Sequence, residues 1–290
     1  MKNITLEELL EAGCHFGHQV TRQNPKARDF VFESRDGINI IDLAKTKEGL
    51  DEALIFVNNS AKKEGATLLL VGTKRQAQEI VQDAIKSAKD MDVYSVTKRW
   101  MGGTLTNFSE MKKNVTRLKD LIHILGSEDD RARYTKKELG LFDKERAKLE
   151  SFYSGIAEMK KTPDIIFIID THLENLAVRE ANRMAIPIVG IVDTNADPDP
   201  IDYCIPANDD AVGSIKLLTD AVIAAWMEGK ADGLKAREKA ASNAVLEEAK
   251  KLSDAAKAPV IASVAGQSQE ETPKKEKKET KPKKAAKKKE

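Results

Sequence analysis

Two cysteines in 290 residues, Cys14 and Cys204, provide no disulfide framework and suit a reducing compartment. No apolar run approaches the roughly 20 residues that cross a bilayer. The opening MKNITLEELLEAG carries glutamates where a secretory leader carries its apolar stretch. The expected location is therefore cytoplasmic, or an organelle reached by a signal the chain does not show, with no membrane partner. Catalytic signatures are missing as well: there is no GxGxxG, no Walker GxxxxGK[ST] and no nucleophile elbow. Net charge is almost missing too, at +1, although 33% of the residues are charged. That neutrality hides two unlike parts. Between Thr272 and Glu290 there are ten lysines and three glutamates, a balance of +7 that leaves −6 on the rest. Contact with a polyanion must then be sought in local patches rather than in overall charge.

What is present reads as an alternation of helices and strands. Thr5 and Glu8 form a capping box for a helix to Ala12. HFGHQVTRQNPKAR follows as a polar, basic loop. Phe30–Glu33 and Ile38–Leu43 flank Asp36-Gly37, a hairpin signal. Lys45 to Lys63 is helical in pattern. Thr67–Val71, Val93–Val96, Ile165–Ile169, Ile186–Val192 and Tyr203–Ile205 read as strands, mostly as continuous apolar runs of the buried parallel kind. Helices over Gln76–Lys89, Glu174–Met184 and Asp209–Met227, the last capped by Asn208 or Asp209, alternate with them. The pattern predicts an α/β fold with a mostly parallel sheet covered on both faces.

One segment breaks that rhythm. Leu105, Phe108, Met111, Val115, Leu118, Ile122 and Leu125 step by three or four residues, as a coiled-coil seam requires. Gly126 and Ser127-Glu128-Asp129-Asp130 make a turn. Thr135 and Glu138 cap a second helix, whose seam is Phe142, Leu149, Phe152, Ile156 and Met159. An antiparallel coiled-coil hairpin inserted into the α/β domain is expected, folded back on it or held by another molecule. The expected divisions are a discontinuous α/β domain at 1–103 and 161–228, the hairpin at 104–160, a helical extension at 229–258 and a disordered Lys-rich tail at 259–290.

Loops after strand carboxyl ends are where doubly wound sheets bind ligands. Lys74 and Arg75 stand at a helix N-terminus, where backbone amides and charge together attract phosphate. Lys98, Arg99 and Trp100 open TKRWMGGTLTN, which ends on Asn107. The cations can neutralise phosphates, and an indole can stack on a base. Trp100 taken alone reads more simply as a core residue. Arg22, Lys26 and Arg28 make a further basic loop, either RNA-contacting or merely solvated. Asp170-Thr171-His172 and Asp193 to Pro200 could hold a metal or a general base. Asp, Thr and Asn are also ordinary caps and turn formers, and that reading is preferred. Cys14, His15 and His18 are weak metal candidates, because structural zinc sites carry paired close spacings and only one close group occurs here. A rival reading, a nucleotide- or metal-using enzyme, would need a site from Thr73, Asp170, Asp193 and Asn195.

LLEAGCHFGHQ, NPK, DGINIIDLAKT, LLLVGTKRQAQEIV, RWMGGTLTNF, TPDIIFIID, IPIVGIVDTNADPD and IPANDDA follow one another between Leu6 and Trp226. Together these strings resemble the bacterial-type small-subunit ribosomal protein two family. The resemblance implies a flavodoxin-like α/β domain with an inserted coiled-coil hairpin. It implies a non-catalytic part of the small subunit that needs no cofactor and no small-molecule substrate. The implied partners are small-subunit ribosomal RNA and neighbouring proteins, among them the messenger-binding first protein of that subunit. The acidic hairpin tip at Glu128-Asp129-Asp130 and the Lys-rich tail depart from what the resemblance explains.

Overall fold

The computed structural model describes residues 3–256. Five parallel strands form the centre: β4 (Leu68–Val71), β5 (Val93–Val96), β6 (Ile165–Ile168), β7 (Ile188–Val192) and β8 (Tyr203–Pro206), in the order β5-β4-β6-β7-β8. Counted along these strands, that is the order 2-1-3-4-5 of a flavodoxin-like sheet. A smaller antiparallel sheet, β1-β3-β2, is made from β1 (Phe16–Gln19), β2 (Val31–Arg35) and β3 (Ile38–Ile41).

Alternation along the central strands divides the core in two. Leu68, Leu70, Ile165 and Phe167 face one side, with α1 (Leu6–Glu11), α2 (Leu43–Ala61), α3 (Arg75–Ser87) and the first part of α8 (Val212–Ala256) packed there. Leu69, Val71, Ile166 and Ile168 face the other, against α7 (Asn175–Arg183) and residues of α4 (Phe108–Gly126). Phe167 and the β4 leucines are wholly buried. Each such side chain contributes about 1.5–3 kcal/mol relative to exposure. Asp164 ties the two central strands at their starts, accepting from the Thr67 amide at 2.8 Å and its hydroxyl at 2.9 Å.

Between β5 and β6 lie α4, the short α5 (Glu128–Arg131) and α6 (Lys136–Tyr153). α4 and α6 run antiparallel side by side. Asn114 reaches the Tyr153 hydroxyl, and Arg117 forks onto Glu145 with both bonds at 3.0 Å. Met111, Val115, Leu118, Tyr153 and Ile156 belong to the second core, so the base of this pair packs on the domain. Toward the tip Ile122 and Leu141 are about half exposed.

Several expectations are met and several corrected. Both capping boxes, Thr5–Glu8 and Thr135–Glu138, are formed. Asp36 and Gly37 both have positive φ, as the tight turn joining β2 to β3 demands. The polar loop after Ala12 instead contains β1, a four-residue strand too short and too polar to show alternation. Ser127-Glu128-Asp129-Asp130 is not a simple turn. Ser127 caps a single helical turn over Glu128–Arg131. The helix after β8 begins at Val212 rather than Asp209. Asn208 accepts from the Asp210 and Ala211 amides, while Asp209 turns inward. A packed unit spans Met1–Ala241. The Lys-rich tail expected at 259–290 lies outside the described residues.

Candidate functional site

The topology collects the chemistry at the carboxyl edge of the five-stranded sheet. Lys74 and Arg75 follow β4, and Lys98 and Arg99 follow β5, so these pairs sit beside each other. Lys98 links the two loops by donating to Gln78 of α3 at 3.0 Å. The Arg22–Arg28 segment joins the same edge, because the Asn24 amide donates to the Thr194 carbonyl at 2.8 Å. Asp170 follows β6, Asp193 follows β7 and Asp209 follows β8. The edge is thus basic at the β5–β4 end and acidic toward β8.

Most of the cations expected to meet a polyanion are free. Arg22, Arg28, Arg75, Lys98 and Arg99 are exposed and have no ion-pair partner among the described residues. Two others are engaged. Lys26 pairs with Asp197 at 2.8 Å and Asp199 at 2.6 Å. Lys74 is turned into the protein, with its ammonium 2.8 Å from Asp170, 2.7 Å from Asp209 and 2.8 Å from Asp210.

Trp100 is buried, and its indole N–H donates to Glu180 at 3.2 Å. The same carboxylate accepts from the amides of Gly103 (2.7 Å), Leu105 (3.1 Å) and Thr106 (3.2 Å), and from the Thr106 hydroxyl (3.1 Å). Burial alone would raise the Glu180 carboxyl. The hydrogen bonds outweigh it and hold the group below its ordinary range. Glu180 therefore fixes the loop on which Lys98, Arg99 and the exposed Asn107 stand. The sequence did carry a signal for it. Glu180 shares the apolar face of α7 with Ala177 and Ala181, and a carboxylate there needs donors.

The acidic end holds a compact cluster. His18 of β1 places Nδ1 3.1 Å from Asp193 Oδ2 and Nε2 3.5 Å from Asp210 Oδ2. Its amide donates to Asp193 Oδ1 at 3.2 Å and Thr194 Oγ1 at 2.9 Å. The hydrogen bond to Asp193 raises the His18 pKa despite partial burial. Burial first, then Asp170 and Asp193, push Asp209 up to about 7. Asp209, Asp170 and Asp210 hold Lys74 protonated against its own burial. Thr73 donates its hydroxyl to Glu174, whose carboxyl is raised by burial.

Of the three residues first considered for a metal, only His18 reaches this cluster. Cys14 lies in the first core, and burial raises its thiol. His15 packs on Phe16 with ring centroids 4.0 Å apart. Cys204 sits on β8, its thiol directed to the Pro198 and Ile201 carbonyls and pushed up to about 12 by burial and by Asp202 and Asp199. Asp209 had been assigned only a capping role in the sequence, and Asp210 none.

Among the described residues no helix is long and apolar enough to cross a membrane. Residues 9–229 match the family model of ribosomal protein S2.

Proposed function

The chain belongs to the ribosomal protein S2 family, a family of structural proteins of the small ribosomal subunit and not of enzymes, and we propose that it meets small-subunit ribosomal RNA through exposed cations along its sheet edge. The observation that carries this reading is the set of exposed, unpaired cations Arg22, Arg28, Arg75, Lys98 and Arg99 along one edge. Asn107 and the two-glycine turn at Gly102-Gly103 stand on the same loop as Lys98 and Arg99. Lys26 contributes less, since two aspartates hold it. Lys74 and Trp100 act from within, as supports of the binding loops. We propose further that α4 and α6 form a coiled-coil hairpin whose half-exposed tip residues brace a neighbour, and that the protein works in the cytoplasm. Family resemblance alone supports one more partner, the messenger-binding first protein of the small subunit.

The test is association of the full chain with small-subunit ribosomal RNA across a salt series. Each phosphate contact contributes roughly 0.7–0.9 to the log–log salt slope. Arg75→Ala and Arg99→Ala should each weaken binding and lower the slope by about that amount. Unchanged affinity and slope in both variants would refute the assignment. Sedimentation of lysate through a sucrose gradient tests membership of the particle separately, since the chain should travel with the small subunit.

A further inference from the structure

We propose that the recess between the Gly102-Gly103 turn and the base of α4 and α6 takes the edge of an unpaired RNA base. The proposal rests on the sheet edge meeting RNA, and adds base reading to phosphate contact. Met101, Gly103, Asn107, Met111, Asn114 and Tyr153 are among the residues that line the recess. Two of them have spare hydrogen-bonding capacity. Asn107 stands at the N-cap of α4, yet its side chain makes no capping bond. An asparagine there ordinarily accepts from an amide of the first turn. Here Oδ1 accepts from the Ser109 hydroxyl at 3.3 Å, and Nδ2 has no partner among the described residues. Asn114 donates Nδ2 to the Tyr153 hydroxyl at 3.2 Å and leaves Oδ1 without a partner among the described residues. A free donor and a free acceptor thus line one recess. A base edge presents the complementary pair, as adenine does with its N6 amino group and the ring nitrogen beside it.

The rest of the recess suits a flat ring. Gly102 and Gly103 put no side chain over their peptide, and Gly103 holds φ at 90°, which glycine adopts without steric cost. Met101 and Met111 bring thioethers, which make favourable contacts with aromatic rings. Glu110, which also borders the recess, is paired with Lys113 at 2.8 Å. Exposed Lys98 and Arg99 precede the turn, where phosphates flanking the base can meet them. The loop is set in advance, because Glu180 already holds the amides of Gly103, Leu105 and Thr106. Proteins read RNA sequence in this manner, by hydrogen bonds to the edges of unstacked bases in loops and bulges.

Asn107→Ala in the full chain, measured against small-subunit ribosomal RNA across a salt series, tests the base site. Loss of one neutral hydrogen bond should weaken binding about 2–10-fold at every salt concentration. The log–log slope should not change, because no phosphate contact is lost. The melting temperature should not change either, since no capping bond is removed. At saturating protein, dimethyl sulfate, kethoxal and carbodiimide should find a protected base that becomes reactive in Asn107→Ala and stays protected in Arg99→Ala. Unchanged affinity in Asn107→Ala would overturn the base site, and is also the outcome if the recess holds a protein side chain instead. A slope that falls together with affinity would overturn it too, as would weakened binding with every base reactivity unchanged. The phosphate reading survives each of these results if Arg75→Ala and Arg99→Ala still lower the slope. If all three variants bind as the native chain does, both readings fail.

Discussion

Replacing Glu180 by alanine removes the acceptor on which five donors of the Trp100–Thr106 loop converge. Two of those donors, the Trp100 indole and the Leu105 amide, belong to buried residues, whereas the Gly103 and Thr106 amides can turn to water. A buried donor left unsatisfied costs about 1–3 kcal/mol. Two such donors make the loss about 2–6 kcal/mol. That is a large part of the roughly 5–15 kcal/mol by which proteins of this kind are stable. Urea unfolding should show the loss, and hydrogen exchange should quicken at the Leu105 and Thr106 amides. Glu110→Ala is the control, because Glu110 is exposed and its one ion pair among the described residues is with exposed Lys113. It should shift stability by no more than about 0.5 kcal/mol. RNA association supplies a second readout. Deleting a negative charge beside Lys98 and Arg99 would strengthen binding if charge alone mattered. A positioning role requires that Glu180→Ala bind more weakly. A loss under about 1 kcal/mol with unchanged amide exchange would refute the reasoning.

The depressed carboxyl of Glu180 also predicts a pH dependence: its stabilising contribution is complete above the ordinary glutamate range and is lost as pH falls through its lowered folded value. Unfolding free energies from neutral pH down through the acid range should show that component in the native chain and not in Glu180→Ala. Lys74→Met should cost about 3–5 kcal/mol, because Asp170 and Asp209 are left buried without their cation. Arg75→Met next to it should leave stability within about 0.5 kcal/mol while lowering the salt slope of RNA binding. Gly49→Ala should lower the melting temperature, since a Cβ there would overlap the Cys204 carbonyl oxygen. Overpacking costs about 1–3 kcal/mol, and each of those lowers Tm by roughly 2–4 °C in a body of this size.

The central sheet was legible because its strands are short apolar runs separated by amphipathic helices, a pattern set by burial on both faces. Capping boxes and the Asp-Gly turn were legible for a similar reason: three or four adjacent residues contain the whole interaction. β1 was not, since Phe16–Gln19 becomes a strand only through pairing with β3 across a loop. The site divides along the same line. Exposed arginines could be named from their loops. That Lys74 faces inward depends on Asp170, Asp209 and Asp210, the last two of which arrive 135 and 136 residues later in the chain. Glu180 and the His18–Asp193–Asp209 group are likewise products of long-range assembly. Local chemistry names a residue's capability, and the topology decides which partner takes it up.

The pairing of β4 with β6 sets a timetable for synthesis. Thr67 and Asp164, which join the starts of these strands, are 97 residues apart. At about 5–20 residues per second, β4 waits roughly 5–20 s before its central neighbour has been made. During that interval its apolar LLLV has only β5 as a strand partner, and one edge stays open to any strand nearby. The intervening α4 and α6 rest on local contacts and can form while β4 waits. α8 completes the body last, its Gly229 and Gly233 laid against the Asn58 and Lys62 carbonyls at the end of α2. A nascent chain stopped before β6 therefore exposes its most apolar segment, and that stage is where chaperone engagement and aggregation should concentrate.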